Sequence, residues 1–452
     1  MFEAGERLGG PLFTLRSGDS LLEQGADSFL IKTPWALELC RELGLADQLI
    51  PTNEQHRRAL VVRGGKLLPV PEGFVLMRTQ NLGAILRSPV LSARGKLRLL
   101  FEPLIRAPEA VRDPDYDESV ASFATRRLGR EAYERLVQPL VAGIFVADAE
   151  RLSLAATFPE FLAAEREFGS LWRSVRSGDE NGDGGEVVGA KPQAAVRYGQ
   201  FVTLRGGLSA LVEALAKSLG EGVVQLRTAV ESVSRSGPRR WHVGSGRHSE
   251  SALFDGVILA TSAPRAAELL KATDAELAQQ LALIEYASSA VVTLVFRRDQ
   301  IGHPLDGYGA VVPAIENRPI VAASFLTTKF PSHVAADRAV IRVFLGGVLR
   351  PEMIDRDDAE LISIAKRELA ALIAARGEPL ETHVARWRSS MPQYQVGHLR
   401  LVDEIELRVA VHDGLELAGS GYRGVGIPQC VRSGREAAER LAEQLAGGRS
   451  SC

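Results

Sequence analysis

The stretch LELAGSGYRGVGIPQCVRSGREAAERLAEQL near the C-terminus limits the possible folds more than any other part of the chain. A short apolar strand, about Leu415 to Ala418, leads through Gly419, Gly421, Gly424 and Gly426 into a helix from about Pro428 to Leu445. Strand, glycine-rich turn and helix in that order belong to an α/β design. Glycines let a ligand approach the main chain, and the N–H groups at a helix start carry positive potential that suits a phosphate or a negatively charged ring. Such turns also serve close packing alone, so the turn by itself leaves both readings open.

The opposite end of the chain bears on the same question. FEAGERLGG places an acid, Glu3, before a glycine pair, as at the end of the second strand of a dinucleotide-binding unit, where the carboxylate accepts hydrogen bonds from a ribose. The glycine fingerprint of such a unit lies about 20 residues upstream of the acid, which here falls before Met1. Taken alone, Glu3 reads more readily as an exposed terminal acid than as a cofactor ligand.

Between these ends the element types alternate. PWALELCRELGLADQL has helical spacing and starts at Pro34, a good first-turn residue. ALVVRGGKLLPVP reads as a hairpin turning at Gly64-Gly65. Residues 82–171 are largely helical in pattern, with Asp117 and Ser119 as candidate caps. The stretch from Arg176 to Gly199 is rich in Gly, Asp, Glu and Pro, and its lack of periodicity marks a surface loop. FDGVILATSA is an apolar strand of the kind found in parallel sheets with covered faces. Beyond Ala287 come longer alternating strands, SSAVVTLVFRR, GYGAVVPA, PIVAASFL and AVIRVFLGG, which indicate an antiparallel sheet and a second domain.

Composition narrows the function classes. A chain of 452 residues with 45% hydrophobic and 24% charged residues has ample material for a core, and two domains is the natural division. A net charge of -2 offers no basic face for nucleic acid. Three cysteines without CxxC spacing suggest neither a disulfide framework nor a metal site, and they favour a reducing compartment. The longest apolar runs are too short to span a bilayer. The eight histidines are scattered, and no catalytic triad is apparent; His398 in QVGHL is the one expected nearest a cofactor, without a catalytic role.

Taken together, FEAGERLGG, EQGADSFL, GIFVAD, RLSLAATFP, LRGGLSALVEAL, VILATSAP, RWRSSMPQYQVGHL and LAGSGYRGVGIPQCVRSG resemble, in this order, the protoporphyrinogen/coproporphyrinogen oxidase family of haem biosynthesis. Those are oxygen-dependent flavoproteins related to amine oxidases and phytoene desaturases. The resemblance runs from Phe2 to Leu445, and MPQYQVGH and GYRGVGIPQCV are its most specific segments.

The resemblance implies FAD as cofactor, held by Glu3 at the ribose and by Ala4, Gly10 and Pro11 along the dinucleotide. Gly25, Ala26, Asp27 and Ser28 match the loop that passes the flavin. Val230 matches the backbone contact to adenine, Trp387 a ring near the flavin, and Val425, Gly426 and Ile427 the isoalloxazine contacts at the last helix. Two positions depart from the family: Pro11 replaces a basic or aromatic residue, and Ala26 a proline. For the substrate, a porphyrinogen oxidised at the expense of molecular oxygen, the matching positions are Arg58 for a propionate, with Arg57 beside it, and Gly143, Gly309, Val311 and Phe330 for the pocket wall. Two solvated arginines and a core phenylalanine are the competing readings of Arg57, Arg58 and Phe330.

The implied architecture is α/β, α+β overall. A Rossmann-like, amine-oxidase-type FAD domain is assembled from residues 1–55, 200–275 and 385–452. A mixed substrate domain covers 56–80 and 276–384, and a helical subdomain covers 81–199. A βαβ unit needs about 30 residues or more, so the FAD domain is expected to be N-terminally truncated, with a misplaced start codon favoured over a pseudo-enzyme, and to bind FAD weakly as written. The segment EGFVLMRTQNLGAILRSPVLSARGKLRLLF mixes apolar residues with Arg78, Arg87, Arg94, Lys96 and Arg98. It suits a helix lying on a membrane surface, and a helix packed on its own protein fits equally. The expected location is therefore the cytoplasm or the cytoplasmic membrane surface, with a homodimer or a ferrochelatase contact as further partners. A polyene or amine oxidase and a non-catalytic homologue are the alternative functions.

Overall fold

The computed structural model describes residues 1–177, 201–237, 239–245 and 248–447. The expected loop at Arg176 to Gly199 lies almost wholly outside them. A seven-stranded sheet dominates one half of the molecule. In spatial order its strands are Glu381–Pro392, Tyr286–Arg297, Arg338–Gly346, Ile320–Phe325, Gly309–Val311, Ala59–Arg63 and Lys66–Pro69. All neighbours are antiparallel except Gly309–Val311 with Ala59–Arg63. The last two strands form the hairpin anticipated at Gly64-Gly65, closing on the pair Arg63 and Lys66; both glycines have positive φ, as a tight reversal requires.

Alternate residues of these strands point to opposite faces. One face carries Leu60, Val62, Ala290, Val292, Leu294, Val343 and Leu345 into a core completed by the helix Asp358–Ile373. Asp357 caps that helix by accepting from the Glu360 amide.

Helices from Leu82 to Arg176 build a second core around Phe123, Leu136, Val141 and Phe161. Ser119 caps the helix Val120–Leu128 as expected. Asp117 is no cap of that helix. It accepts from Ser153 Oγ, from Ala155 N and from Gly397 N, tying the helical unit to the chain around residue 397.

The cofactor-type segments form two further cores. Val257–Leu259 and Leu415–Leu417 pair in parallel and share a core with Val233, Trp241, Val402 and Tyr422. Phe29, Leu37, Leu49, Val202 and Leu208 form the other, with Ile427 packed against it. Phe2 makes one parallel bridge to Gln225, and no described strand joins that bridge to the Val257–Leu259 pair.

Pairing and burial run across two of the expected boundaries. Strand Glu381–Pro392 runs its whole length along Tyr286–Arg297, so residues 385–392 belong with the large sheet. Helix Ala275–Ala282 packs through Leu277 and Leu281 on the core of Leu259 and Val402. The cause is the same in both cases: ladder pairing and burial continue past the points where the sequence pattern changes.

Candidate functional site

The face of the large sheet opposite Asp358–Ile373 gathers several of the candidate site residues. Register places Gly346, Ser289 and Trp387 in one row. Val311, Ala322, Phe344, Val291 and Ala385 form the next, and Gly309, Ser324, Arg342, Thr293 and His383 the third. Trp387, Gly309 and Val311, three residues singled out from the sequence, thus share one surface. Trp387, Phe344, Ser289, Ser324, Gly309 and Val311 are only partly buried. Gly309 has no room for a side chain, since a Cβ would stand 2.2 Å from the Ala323 carbonyl oxygen. Gly143 approaches from the helix Gln138–Phe145, and a Cβ there would touch Val311 Cγ1 at 3.5 Å.

Across this face runs the loop Gln24–Ser28, and two sheet residues, Trp387 and Arg342, and Lys329 of the short helix Leu326–Lys329 donate to it along its length. Trp387 Nε1 donates to the Gln24 carbonyl at 2.9 Å. Arg342 donates to the Gly25 carbonyl and to Asp27 Oδ2. Lys329 Nζ donates to Asp27 Oδ1 at 2.7 Å and to Ser28 Oγ at 3.0 Å. Burial alone would raise the Asp27 carboxyl, but the two cations outweigh it and hold it at about 2. On the loop's other side, the Ala26 amide donates to the Pro11 carbonyl at 3.2 Å. Gly25 passes so close to Pro11 that a Cβ would meet its oxygen at 2.1 Å. Gly10, with φ +51, turns the chain just before Pro11.

The glycine-rich turn is held by the other diagnostic segment. Tyr394 Oη donates to the Ser420 carbonyl at 2.5 Å and accepts from the Gly424 amide at 2.8 Å. Its ring stacks on His398, centroids 3.9 Å apart, and His398 Nε2 meets the Tyr422 carbonyl at 2.8 Å. Burial pushes the His398 pKa down to about 4, so the ring is neutral and donates from Nε2. Ser433 Oγ accepts from the Gly419 amide at 3.0 Å. MPQYQVGHL and GSGYRGVGIP therefore form one device, with His398 in a structural rather than a chemical role.

Past this clamp, Val425 packs against the helical core on which Val311 also rests, and Ile427 packs on the core of Phe29 and Leu208. The Val425 amide has no acceptor among the described residues. Gly426 is crowded by Gln429, with Oε1 2.5 Å from where a Cβ would stand.

Glu3 ends the extended segment beside Gln225: its amide donates to the Gln225 carbonyl at 2.9 Å and its carbonyl accepts from Thr228 at 2.8 Å. Glu3 Oε1 accepts from Gly5 N at 2.7 Å, while Ala4 is exposed. The Val230 carbonyl accepts from Arg265 Nη2 at 2.7 Å.

The substrate residues divide. Arg58 is half exposed and its guanidinium is spent on Asp306. Phe330 is a core residue, 1% exposed and packed with Leu22, Val295 and Val340 at the far end of the same sheet face. Sequence reasoning missed Lys329, Arg342 and Tyr394. Tyr394 stood inside a quoted motif, whereas Arg342 becomes visible only through strand register.

The sequence pattern of the flavin containing amine oxidoreductases matches residues 1–442. The chain belongs to that family. Coproporphyrinogen III oxidase of Staphylococcus aureus is 30% identical over 448 residues, covering 98% of this chain and 93% of that protein. Protoporphyrinogen oxidase of Bos taurus is 30% identical over 465 residues, covering 98% and 92%. A crystal structure from Exiguobacterium sp. 255-15, assigned there to protoporphyrinogen oxidase, superposes with a TM-score of 0.85 at 28% identity, covering 98% and 92%. Cyclohexylamine oxidase of Brevibacterium oxydans, at 17% identity and a TM-score of 0.65, shares the fold.

The cofactor of this family is a flavin, here FAD, and the residues fit it. The partly exposed Trp387, Phe344 and Val311 would suit contact with a flat ring. The acceptor-free Val425 amide at a helix start suits a ring that becomes anionic on reduction, and Glu3 Oε2 accepts from no described group and is free for a ligand hydroxyl. The Val230 carbonyl accepts from Arg265 and has a second lone pair for a further donor.

Proposed function

We propose that the chain oxidises a porphyrinogen to the corresponding porphyrin, with molecular oxygen as the terminal acceptor. Coproporphyrinogen III and protoporphyrinogen IX, named in its relatives, are the candidate substrates. A bound flavin supplies the hydride acceptor that no side chain can provide.

The observation that carries this reading is the sheet face itself. Gly309, Val311 and Phe344, with Gly143 opposite, form a partly open surface over the buried Ala322 and Val291, and Val311 rests on the same helical core as Val425. Such a wall binds a large apolar ring by contact and excludes water around it. The loop Gln24–Ser28 is fixed against the same sheet by Trp387, Arg342 and Lys329, so flavin loop and substrate wall move as one body. An amine substrate would call for an aromatic cage, and the glycine turn offers only Tyr422, which is buried.

In this reading residues 1–55, 201–284 and 393–447 form the FAD unit, and the large sheet with its covering helix forms the substrate unit. The helical unit presents Leu86, Leu97, Leu100, Phe101 and Leu104 to its surface beside Arg87 and Arg94, which supports a peripheral membrane contact. No helix of the described residues is long and apolar enough to cross a membrane.

Steady-state assay of the FAD-loaded protein with both porphyrinogens, read by porphyrin fluorescence, tests the proposal. Turnover of one or both is expected. Turnover of amines alone would refute it.

A further inference from the structure

A cavity of about 210 Å³ opens between the helix Gln138–Phe145 and the end of the large sheet. Ala142, Val146, Val312 and Ile320 line it with apolar surface, and Arg318 and Arg350 line it with guanidinium groups. It meets the substrate wall on one side only: Ala142 adjoins Gly143 in the helix, whereas Val312 and Ile320 belong to the core on the opposite face of the sheet. Gly346, also in the lining, is the register partner of Ser289 in the row that ends at Trp387.

Its two cations are not equivalent. Arg318 Nη1 is paired with Glu368 Oε2 at 2.6 Å, so its charge is balanced. Arg350 Nη2 donates at 2.6 Å to the neutral amide oxygen of Asn317, and no described carboxylate pairs with it. The cavity therefore keeps one uncompensated positive charge against an apolar lining. Its volume is below the roughly 300–1,000 Å³ of a whole-ligand pocket, so it suits an arm of a ligand rather than an entire macrocycle. An apolar stem ending in a carboxylate matches both the walls and the charge.

We propose that this cavity receives a carboxylate-bearing arm of the porphyrinogen and that Arg350 binds the carboxylate. The proposal rests on the porphyrinogen reading above and assigns the anion contact to Arg350 in place of Arg58, whose guanidinium Asp306 already holds. Coproporphyrinogen has more such arms than protoporphyrinogen, so the same contact bears on the choice between them.

The test compares coproporphyrin III as the free acid with its tetramethyl ester, both titrated by fluorescence against the FAD-loaded protein and against Arg350→Gln and Arg350→Lys. Arg350→Gln removes the charge and the guanidinium fork and leaves a shorter side chain with an amide donor. It should weaken binding of the free acid by about tenfold, the scale of one charge-assisted hydrogen bond, and leave the ester unchanged. Arg350→Lys should restore most of the preference for the acid. Should Arg350→Gln fail to fold, Arg350→Ala takes its place: loss of the acid preference supports the contact and a preference equal to wild type overturns it. An equal effect on acid and ester, or no effect on either, overturns the assignment. Turnover of coproporphyrinogen by the wild type is measured in parallel. Absent turnover strikes the functional reading, whereas turnover without an acid–ester contrast at position 350 strikes the cavity alone.

Discussion

One hydroxyl, that of Tyr394, spans the glycine turn from Ser420 to Gly424. Tyr394→Phe would keep the stack on His398 while leaving the Ser420 carbonyl and the Gly424 amide without their partner. Such orphaned groups cost about 1–3 kcal/mol, so a lower thermal midpoint is expected together with reduced flavin content, because Val425 loses its fixed position. Retention of full flavin with unchanged stability would show that the turn holds itself. Glu23 makes a separate prediction. Burial, the largest influence, raises its carboxyl from the ordinary 4.5 to about 7, against hydrogen bonds from the Leu208 amide and Thr14 Oγ1. Between those values the unfolded chain is ionised and the folded chain is not. Its contribution to stability is therefore complete below about pH 4.5 and is lost as pH rises through about 7, by up to about 3 kcal/mol. Glu23→Gln should flatten that slope when urea unfolding is compared at pH 4.5 and pH 8; an unaltered slope would assign it to other groups. Asp27 runs the other way: held at about 2, it stabilises the fold above its ordinary 3.8 and loses that effect only as pH falls through about 2. None of these roles could be read from Glu23, Asp27 or Tyr394 alone, because each depends on partners far along the chain: Leu208, Lys329 and Ser420.

Elements whose cause is local were legible in the sequence. Gly64-Gly65 supplies the positive φ of a tight hairpin, and Ser119 supplies a cap. The strand before the glycine turn and the helix after it also stand where the pattern placed them. Elements defined by pairing were not legible to the same degree. Nothing in residues 385–392 distinguishes them from the FAD segments, and only their ladder to Tyr286–Arg297 does so. The helical segment after Leu82 shows the same limit. Arg98 in it donates to the Arg126 and Arg127 carbonyls, and Arg78, in the strand just before it, is buried. Arg87 and Arg94 remain exposed beside Leu97, Phe101 and Leu104, the last 71% exposed. Vesicles with anionic lipid should therefore bind the protein at low salt and release it at high salt. Leu97→Glu combined with Leu104→Glu should abolish that binding without changing stability, since both side chains face solvent. Equal sedimentation of wild type and double variant would refute the surface contact.

At the scale of the molecule, separate cores meet at one face of one sheet. The helical core supplies Val425 and Val311 with support, the core of Phe29 and Leu208 receives Ile427, and the large sheet contributes Trp387 and Arg342. The family and the motif order were readable from the chain, but the convergence of Trp387, Gly309 and Val311 depends on register across seven strands, which periodicity does not reveal. It is also why Phe330, on the same face but at its far end, is core. The central claim is that this face presents a porphyrinogen to a flavin. Anaerobic mixing of the FAD-loaded protein with coproporphyrinogen III or protoporphyrinogen IX tests it most directly, with flavin absorbance followed in a stopped-flow cell. The account predicts bleaching by at least one porphyrinogen, and recovery with porphyrin formation when oxygen is admitted. Flavin that stays oxidised with both, yet bleaches with a primary amine, would contradict it.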